Sequence, residues 1–268
     1  MEPKHLGKTS SYMSEYAPDL LEAIPREVKR QEIGLAETNL PFFGHDWWNG
    51  YEVSWLNTKG KPQVAILVCR IPFDSPNLIE SKSFKLYLNS FNQSRFHDQE
   101  EVLNLMQQDL SAIAGKPVEL HFQSLNEMQL AMMPGECIDE LDVEIQSYHY
   151  TPQCLSRDEQ SLTEETFHSH LLKSNCLITE QPDWASLVVA YKGPSIDKAA
   201  FLQYLISFRQ HNEFHEQCVE RIFVDTMKYC QPEKLAVYAR YTRRGGLDIN
   251  PLRTNFMVDW DNWRLSRQ

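Results

Sequence analysis

Part of this 268-residue chain is written twice, and that constrains its fold more than any other feature. The heptapeptide Tyr87-Leu88-Asn89-Ser90-Phe91-Asn92-Gln93 returns as Tyr204-Leu205-Ile206-Ser207-Phe208-Arg209-Gln210. Phe96-His97-Asp98-Gln99 then returns as Phe214-His215-Glu216-Gln217, offset by one inserted residue. Two matches in one order at nearly one spacing mean a duplicated domain. A single pair of long repeats is not a solenoid array.

The periodicities around the repeated words agree with that reading. Residues 52–57 alternate as a half-buried strand, 58–62 form a turn, and 64–69 form a second strand. Apolar residues at 84, 87, 88 and 91 predict a helix over 80–91. A second helix follows Asp98, with Leu103, Met106, Leu110 and Ile113 on one face and Gly115 as its stop. Residues 118–122 and 141–145 read as strands. The second half repeats the order, with strands over 167–173 and 185–191, helices over 199–208 and 214–229, and strands over 234–241 and 254–260. The fold class is therefore α+β, each half an antiparallel ββααββ unit with a helix pair on one face. The expected organisation is an N-terminal arm with a short helix over residues 1–46, a first domain over 47–150 and a second over 151–268.

Charge and cysteine usage narrow the function. Lys and Arg number 26 against 37 Asp and Glu, a net charge of −11. A chain this acidic is a poor general binder of nucleic acid, which rests on neutralising phosphates. The six cysteines contain no CxxC pair, so neither a zinc ribbon nor a disulfide framework is indicated. Reduced thiols, a polar N-terminus and aliphatic runs too short to span a bilayer predict a soluble cytoplasmic protein.

Two residues stand out as chemistry. Cys176 offers a thiol, and Asp183 a carboxyl group seven residues later, directly after Pro182. A thiolate is a strong nucleophile, and a nearby carboxyl group can protonate what it attacks. Glu80 and Ser81 open a helix, where free backbone N–H groups can hold an anion. Ser81, Lys82, Ser83 and Lys85 form one donor-rich cluster, and Arg243-Arg244-Gly245-Gly246 forms another. No GxGxxG follows a strand, which disfavours a Rossmann dinucleotide site. His215-Glu216 opens a helix, and Glu216 suits the N–H and NH₂ edge of a guanine-like ring. Its repeat partner, Asp98, is sufficiently explained as a helix cap. His168 and His170 share a strand face, and with Cys154 they raise the question of zinc. Without four spaced ligands, ordinary strand histidines are the better reading, and no metal is expected.

Taken together, Glu80-Ser81-Lys82-Ser83-Phe84-Lys85-Leu86-Tyr87, Ser174-Asn175-Cys176 with Asp183, Phe214-His215-Glu216 and Arg243-Arg244-Gly245-Gly246-Leu247-Asp248 carry a resemblance. The chain resembles the nitrile oxidoreductases that reduce 7-cyano-7-deazaguanine in queuosine biosynthesis. It is most similar to their longer branch, with two tandem tunnelling-fold (T-fold) domains in one chain. The resemblance implies Cys176 as the residue that adds to the nitrile as a thioimide and Asp183 as proton donor. It implies substrate contacts at Ile79, Glu80, Ser81, His215 and Glu216, and NADPH contacts at Ser81, Lys82, Arg244 and Gly245. A homodimer without nucleic-acid or membrane partners is expected. Two alternatives stay open: a T-fold purine or pterin hydrolase with a zinc-bound Cys, and a non-catalytic T-fold assembly module.

Overall fold

The computed structural model describes residues 12–36, 38–126 and 129–268. The strands are β1 (Ala23–Pro25), β2 (Phe43–Leu56), β3 (Pro62–Pro72), β4 (Asn77–Ile79), β5 (Glu119–Gln123), β6 (Glu136–Cys137), β7 (Arg157–Asn175), β8 (Pro182–Ile196), β9 (Lys234–Tyr241) and β10 (Leu247–Thr254). The α-helices are α1 (Arg26–Gln31), α2 (Ser81–Ser90), α3 (Gln99–Ala114), α4 (Lys198–Ile206) and α5 (His215–Cys230). By the contacts among its residues the chain divides into two compact units. One comprises residues up to 36, 45–129 and 243–249; the other comprises 37–44, 130–242 and 250–268. This is a mixed α/β architecture with antiparallel sheets, and the short β6–β7 pair is parallel.

In the first unit β2, β3 and β5 form an antiparallel meander, β3 in the centre. Its core is apolar and aromatic: Trp48, Val53, Leu67, Phe84, Tyr87, Phe91, Val102, Met106 and Leu110 are all buried, together with Leu247 and Ile249. The apolar spacing read in the sequence puts Phe84, Tyr87 and Leu88 on the buried face of α2. Asp98 caps α3 by accepting from Glu101 N–H, and Gly115 ends it at φ +76°. A Cβ at Gly115 would lie 2.5 Å from Pro76 Cγ, so glycine answers both the backbone and the space. The segment before β2 is tied into this unit. β1 pairs with β4, and Arg26 makes a buried ion pair with Asp46 at 2.6 Å.

In the second unit β10, β9, β8 and β7 follow one another as antiparallel neighbours, and β6 lies along β7. Asp197 caps α4 through Ala199 and Ala200 N–H.

Two expected strands are corrected. Residues 141–145 alternate Leu, Val and Ile but belong to no strand. Leu141 N–H closes a turn on the Ile138 carbonyl, and the Glu144 carbonyl accepts from the Gln203 side chain. Alternation makes a strand only where a ladder partner exists, and here a helix side chain takes the carbonyl. The strand expected over 254–260 lies seven residues earlier, as β10. Asp248, Asn250, Pro251 and Arg253 give this segment little apolar character, yet every residue of β10 is buried. The polar ones are buried with partners. Asp248 accepts from Asn49 Nδ2 at 2.7 Å and Tyr51 OH at 2.6 Å; Asn250 Oδ1 accepts from Tyr241 N–H at 3.0 Å. Arg253 pairs with Glu220 at 2.9 Å.

Candidate functional site

In the second unit Cys176 follows the last residue of β7 and Pro182 opens β8, a position where a strand tolerates a proline. Asn175 is pinned twice, its N–H donating to the His211 carbonyl and its carbonyl accepting from Glu213 N–H. The Asn175 side chain also donates to Asn212 Oδ1 at 3.0 Å. The turn is closed by Cys176 N–H on the Gln181 carbonyl, 2.8 Å, and Glu180 takes the left-handed conformation at φ +56°. Ser174 stands opposite Asp183 across the two strands. Continuing the alternation, Cys176 falls on the same face as Asp183, one diagonal step away, or about 7–8 Å. Both are buried, at 8% and 3% exposure. A small electrophile fits between a nucleophile and an acid at that spacing.

His215, the first residue of α5, joins them. Its Nε2 lies 3.3 Å from Asp183 Oδ2. Its ring lies flat on Tyr241, with centroids 3.9 Å apart and planes 7° from parallel. His215 Nδ1 is buried without a hydrogen bond in the structure, a polar atom available to a ligand. Glu216, also in the first turn of α5, is buried beside it. No side chain caps this helix, so its N-terminal dipole faces the same place. Tyr241 had no signal in the sequence beyond ending a predicted strand.

The other five thiols are shifted toward their protonated form. Burial pushes Cys218 and Cys230 up to about 12, and it raises Cys69, Cys137 and Cys154 as well. A thiol held protonated is a weak nucleophile.

The remaining candidates gather in the first unit. Ile79 ends β4, and Glu80 is the N-cap of α2. Both Glu80 carboxylate oxygens are engaged, accepting from Lys82 N–H at 2.9 Å and Ser83 N–H at 2.7 Å. The helix N–H groups expected to be free for an anion are therefore largely taken by the chain's own carboxylate. Cationic side chains remain. Arg244 and Leu247 exchange backbone hydrogen bonds around Gly245 and Gly246, which sit at φ +57° and +72°. Two successive left-handed residues make the tight hairpin turn for which glycine pairs are favoured. A Cβ on Gly245 would lie 3.2 Å from Lys85 Cδ, so this turn rests on α2. Lys82 and Lys85 are three apart on that helix and share a side of it. The structure thus joins two patches 160 residues apart in sequence. Lys82, Lys85, Arg243 and Arg244 supply charge-assisted donors, and a bare glycine turn lets a phosphate approach. That donor set fits the phosphates of a dinucleotide.

The site residues named from the sequence fall into two groups, each assembled within its own unit: Cys176, Asp183, His215 and Glu216 in one, and Ile79, Glu80, Ser81, Lys82, Arg244 and Gly245 in the other. Cys154 does not join His168 and His170. Its thiol instead donates to the Thr151 carbonyl at 3.0 Å.

The sequence matches two family profiles. One, described as "Nitrile reductase, 7-cyano-7-deazaguanine-reductase N-term", covers residues 12–122. The other, described as "QueF-like protein", covers residues 182–257. Among similar proteins is a NADPH-dependent 7-cyano-7-deazaguanine reductase of Hydrogenovibrio crunogenus, 55% identical over 265 residues, covering 98% of this chain and 96% of the relative. Proteins of the same name from Cupriavidus necator and Dechloromonas aromatica are 57% and 56% identical over 274 aligned residues. They cover 99% and 100% of this chain, and 99% and 97% of their own lengths. With such identity sustained end to end, the chain belongs to the NADPH-dependent 7-cyano-7-deazaguanine reductase family.

Proposed function

We propose that this chain reduces the nitrile of 7-cyano-7-deazaguanine to the aminomethyl group of 7-aminomethyl-7-deazaguanine, a step of tRNA queuosine biosynthesis, through a covalent intermediate on Cys176. The observation that carries the reading is the β7–β8 turn, which presents a buried thiol on the same face as the Asp183–His215 pair. Cys176 attacks the nitrile carbon as its thiolate, a C–S bond forms, and one π bond of the nitrile becomes a lone pair on nitrogen. Asp183 delivers a proton to that nitrogen, giving a thioimide. That role requires Asp183 to hold a proton when the sulfur attacks. His215, clamped on Tyr241, orients the acid.

NADPH supplies hydride when bound, and two equivalents with two protons complete the four-electron reduction. Ser81, Lys82, Arg244 and Gly245 hold its phosphates. Ile79, Glu80, Ser81, His215 and Glu216 recognise the deazapurine, Glu216 through its ring N–H and amino groups. We further read each unit as a T-fold domain and the active protein as a homodimer in the cytoplasm, where its six free thiols stay reduced. Short exposed sheet edges favour the pairing. Among the described residues no helix is long and apolar enough to cross a membrane.

Intact-protein mass spectrometry with the nitrile and without NADPH tests the chemistry. The wild type gains the mass of one substrate, and Cys176→Ala gains none. A substrate-sized gain in Cys176→Ala would remove Cys176 from the mechanism. Light scattering at micromolar concentration tests the dimer, and a monomer there refutes it.

A further inference from the structure

A second cluster of ligating side chains lies at the β6–β7 edge, and it shares no residue with the groups above. Ligand atoms of Cys137, His168 and His170 all fall within 4.8 Å of one another. We propose that these three residues form a site for a Zn²⁺ ion, which fastens the segment carrying β6 to the sheet.

Several features prepare the site. Cys137 stands beside His168 in the parallel β6–β7 register, and Ile138 N–H donates to the His168 carbonyl at 3.0 Å. The two imidazoles project from alternate residues of β7, with ring centroids 5.2 Å apart. His168 Nδ1 lies 3.0 Å from the Pro134 carbonyl, so Nδ1 carries the hydrogen and Nε2 keeps its lone pair for a metal. His170 Nδ1 is likewise taken up, 2.7 Å from Ser186 Oγ. A second partner on the far nitrogen is the arrangement that orients metal-binding histidines. Asp139 steadies the local backbone, accepting from His170 N–H at 3.0 Å and Ser169 OH at 2.6 Å. The approach of this segment to β7 depends on Gly135. At φ +81°, a Cβ there would lie 2.2 Å from the Thr166 carbonyl oxygen.

The donor set selects the ion. One thiolate and two imidazoles suit a borderline cation rather than calcium or magnesium, which take oxygen ligands. Around tetrahedral Zn²⁺, bonds of about 2.0–2.3 Å put ligand atoms about 3.5 Å apart. The exposed Cys137 thiol can supply that closure by a change of rotamer. Three protein ligands leave the fourth position to water. β6 pairs with β7 through only two residues, and a shared ion would add to the Ile138 N–H and Lys198–Glu136 contacts that hold this segment.

The full chain, freed of metal by chelator and kept reduced, is titrated with ZnCl₂ by calorimetry. In parallel it is titrated with CoCl₂ and followed by absorbance. The wild type takes up one Zn²⁺ and, with cobalt, shows a thiolate-to-cobalt charge-transfer band. Cys137→Ser, an exposed replacement that leaves the fold intact, weakens Zn²⁺ binding at least about tenfold and abolishes that band. His168→Ala with His170→Ala does the same, whereas Cys154→Ser and Cys176→Ala keep the one-to-one uptake and the band. The proposal is overturned if the wild type binds no Zn²⁺, or if binding and band survive Cys137→Ser.

Discussion

The turn between β2 and β3 and the turn between β7 and β8 are copies of one another. Leu56 N–H donates to the Ser94 carbonyl and Phe96 N–H to the Leu56 carbonyl; Asn175 does the same with His211 and Glu213. Leu56 and Asn175 thus occupy one position in the two repeats, and the next residue is Asn57 in one and Cys176 in the other. Asn57 is a turn former, its Oδ1 accepting from Lys59 and Lys61 N–H. Gly60 completes that turn at φ +79°. In the second copy the loop is one residue longer, Glu180 holds the left-handed position, and the side chain at the first position is a thiol. The backbone frame is shared, while the first side chain builds the turn in one copy and is a thiol in the other.

The helix that follows shows the same divergence. His97 and Asp98 lie in solvent, and Asp98 caps α3. The matching His215 is half-buried and Glu216 buried in the first turn of α5, which starts two residues earlier relative to the repeated word. Both helices are sixteen residues long, so the earlier start moves the acid from the cap into the first turn. A third pair did not diverge at all. Tyr16 and Tyr87 both donate to Asp109 Oδ2 at 2.7 Å, and Tyr150 and Tyr204 both donate to Asp225 Oδ2 at 2.7 and 2.5 Å. The repeat therefore reaches upstream to Tyr16-Ala17-Pro18 and Tyr150-Thr151-Pro152.

The largest test of this contrast truncates the first residue of each turn to alanine. Cys176→Ala abolishes NADPH oxidation, whereas Asn57→Ala leaves turnover unchanged and only loosens its own turn. If both lose turnover alike, the two turns have not specialised. Next, Asp183→Ala lowers kcat by about 10²–10⁴-fold, the usual consequence of losing a general acid. Single-turnover kinetics should retain the covalent adduct.

The conserved pair yields the third. Asp109→Ala and Asp225→Ala each strand two tyrosine hydroxyls, at about 1–3 kcal/mol for each one left buried. Urea unfolding should find losses of similar size, and a loss confined to one site would break the symmetry. Asp225 adds a pH signature, because burial raises its pKa above the ordinary carboxylate value. The unfolded chain then releases this proton first, so Asp225 costs stability as pH rises from that ordinary value through the raised one. Asp225→Asn, which keeps an acceptor, removes that slope.

A smaller effect separates the acids. Asp98→Ala lowers Tm slightly with kcat/KM unchanged, whereas Glu216→Gln raises KM for the nitrile with Tm unchanged. The smallest is Glu180→Gly, which relieves a left-handed residue and stabilises by about 1 kcal/mol at most. Thermal unfolding measures it, and a destabilised variant would mean the Glu180 side chain supports the turn.

Helices and the paired first strands were legible because α2, α3 and α5 carry apolar spacing, and α2 and α3 carry caps, that belong to local sequence. Cys176 and Asp183 were legible as residue types. What escaped depends on partners distant in the chain. β10 is polar because Asn49, Tyr51, Tyr241 and Glu220 receive its side chains, and nothing within residues 247–254 announces them. The alternation at 141–145 lacks any strand beside it. The histidines of β7 meet Cys137 rather than Cys154 because a two-residue parallel pairing leaves no periodicity to read. The tyrosine–aspartate clusters stayed hidden because three matching letters are too few to notice without the shared carboxylate.

The short segment 243–249 has an evolutionary corollary. It follows most of the second unit in the sequence, yet Leu247 and Ile249 belong to the core of the first unit. A fragment stopping after the first repeat would be missing two buried side chains and the partner of Tyr51, whose N–H donates to the Gly246 carbonyl. The first unit thus takes part of its interior from residues that follow most of the second in the chain. Such a loan is hard to reverse, since splitting the gene would now leave the first half without part of its interior. The duplication has become a ratchet, and selection can tune either half but can no longer release one from the other.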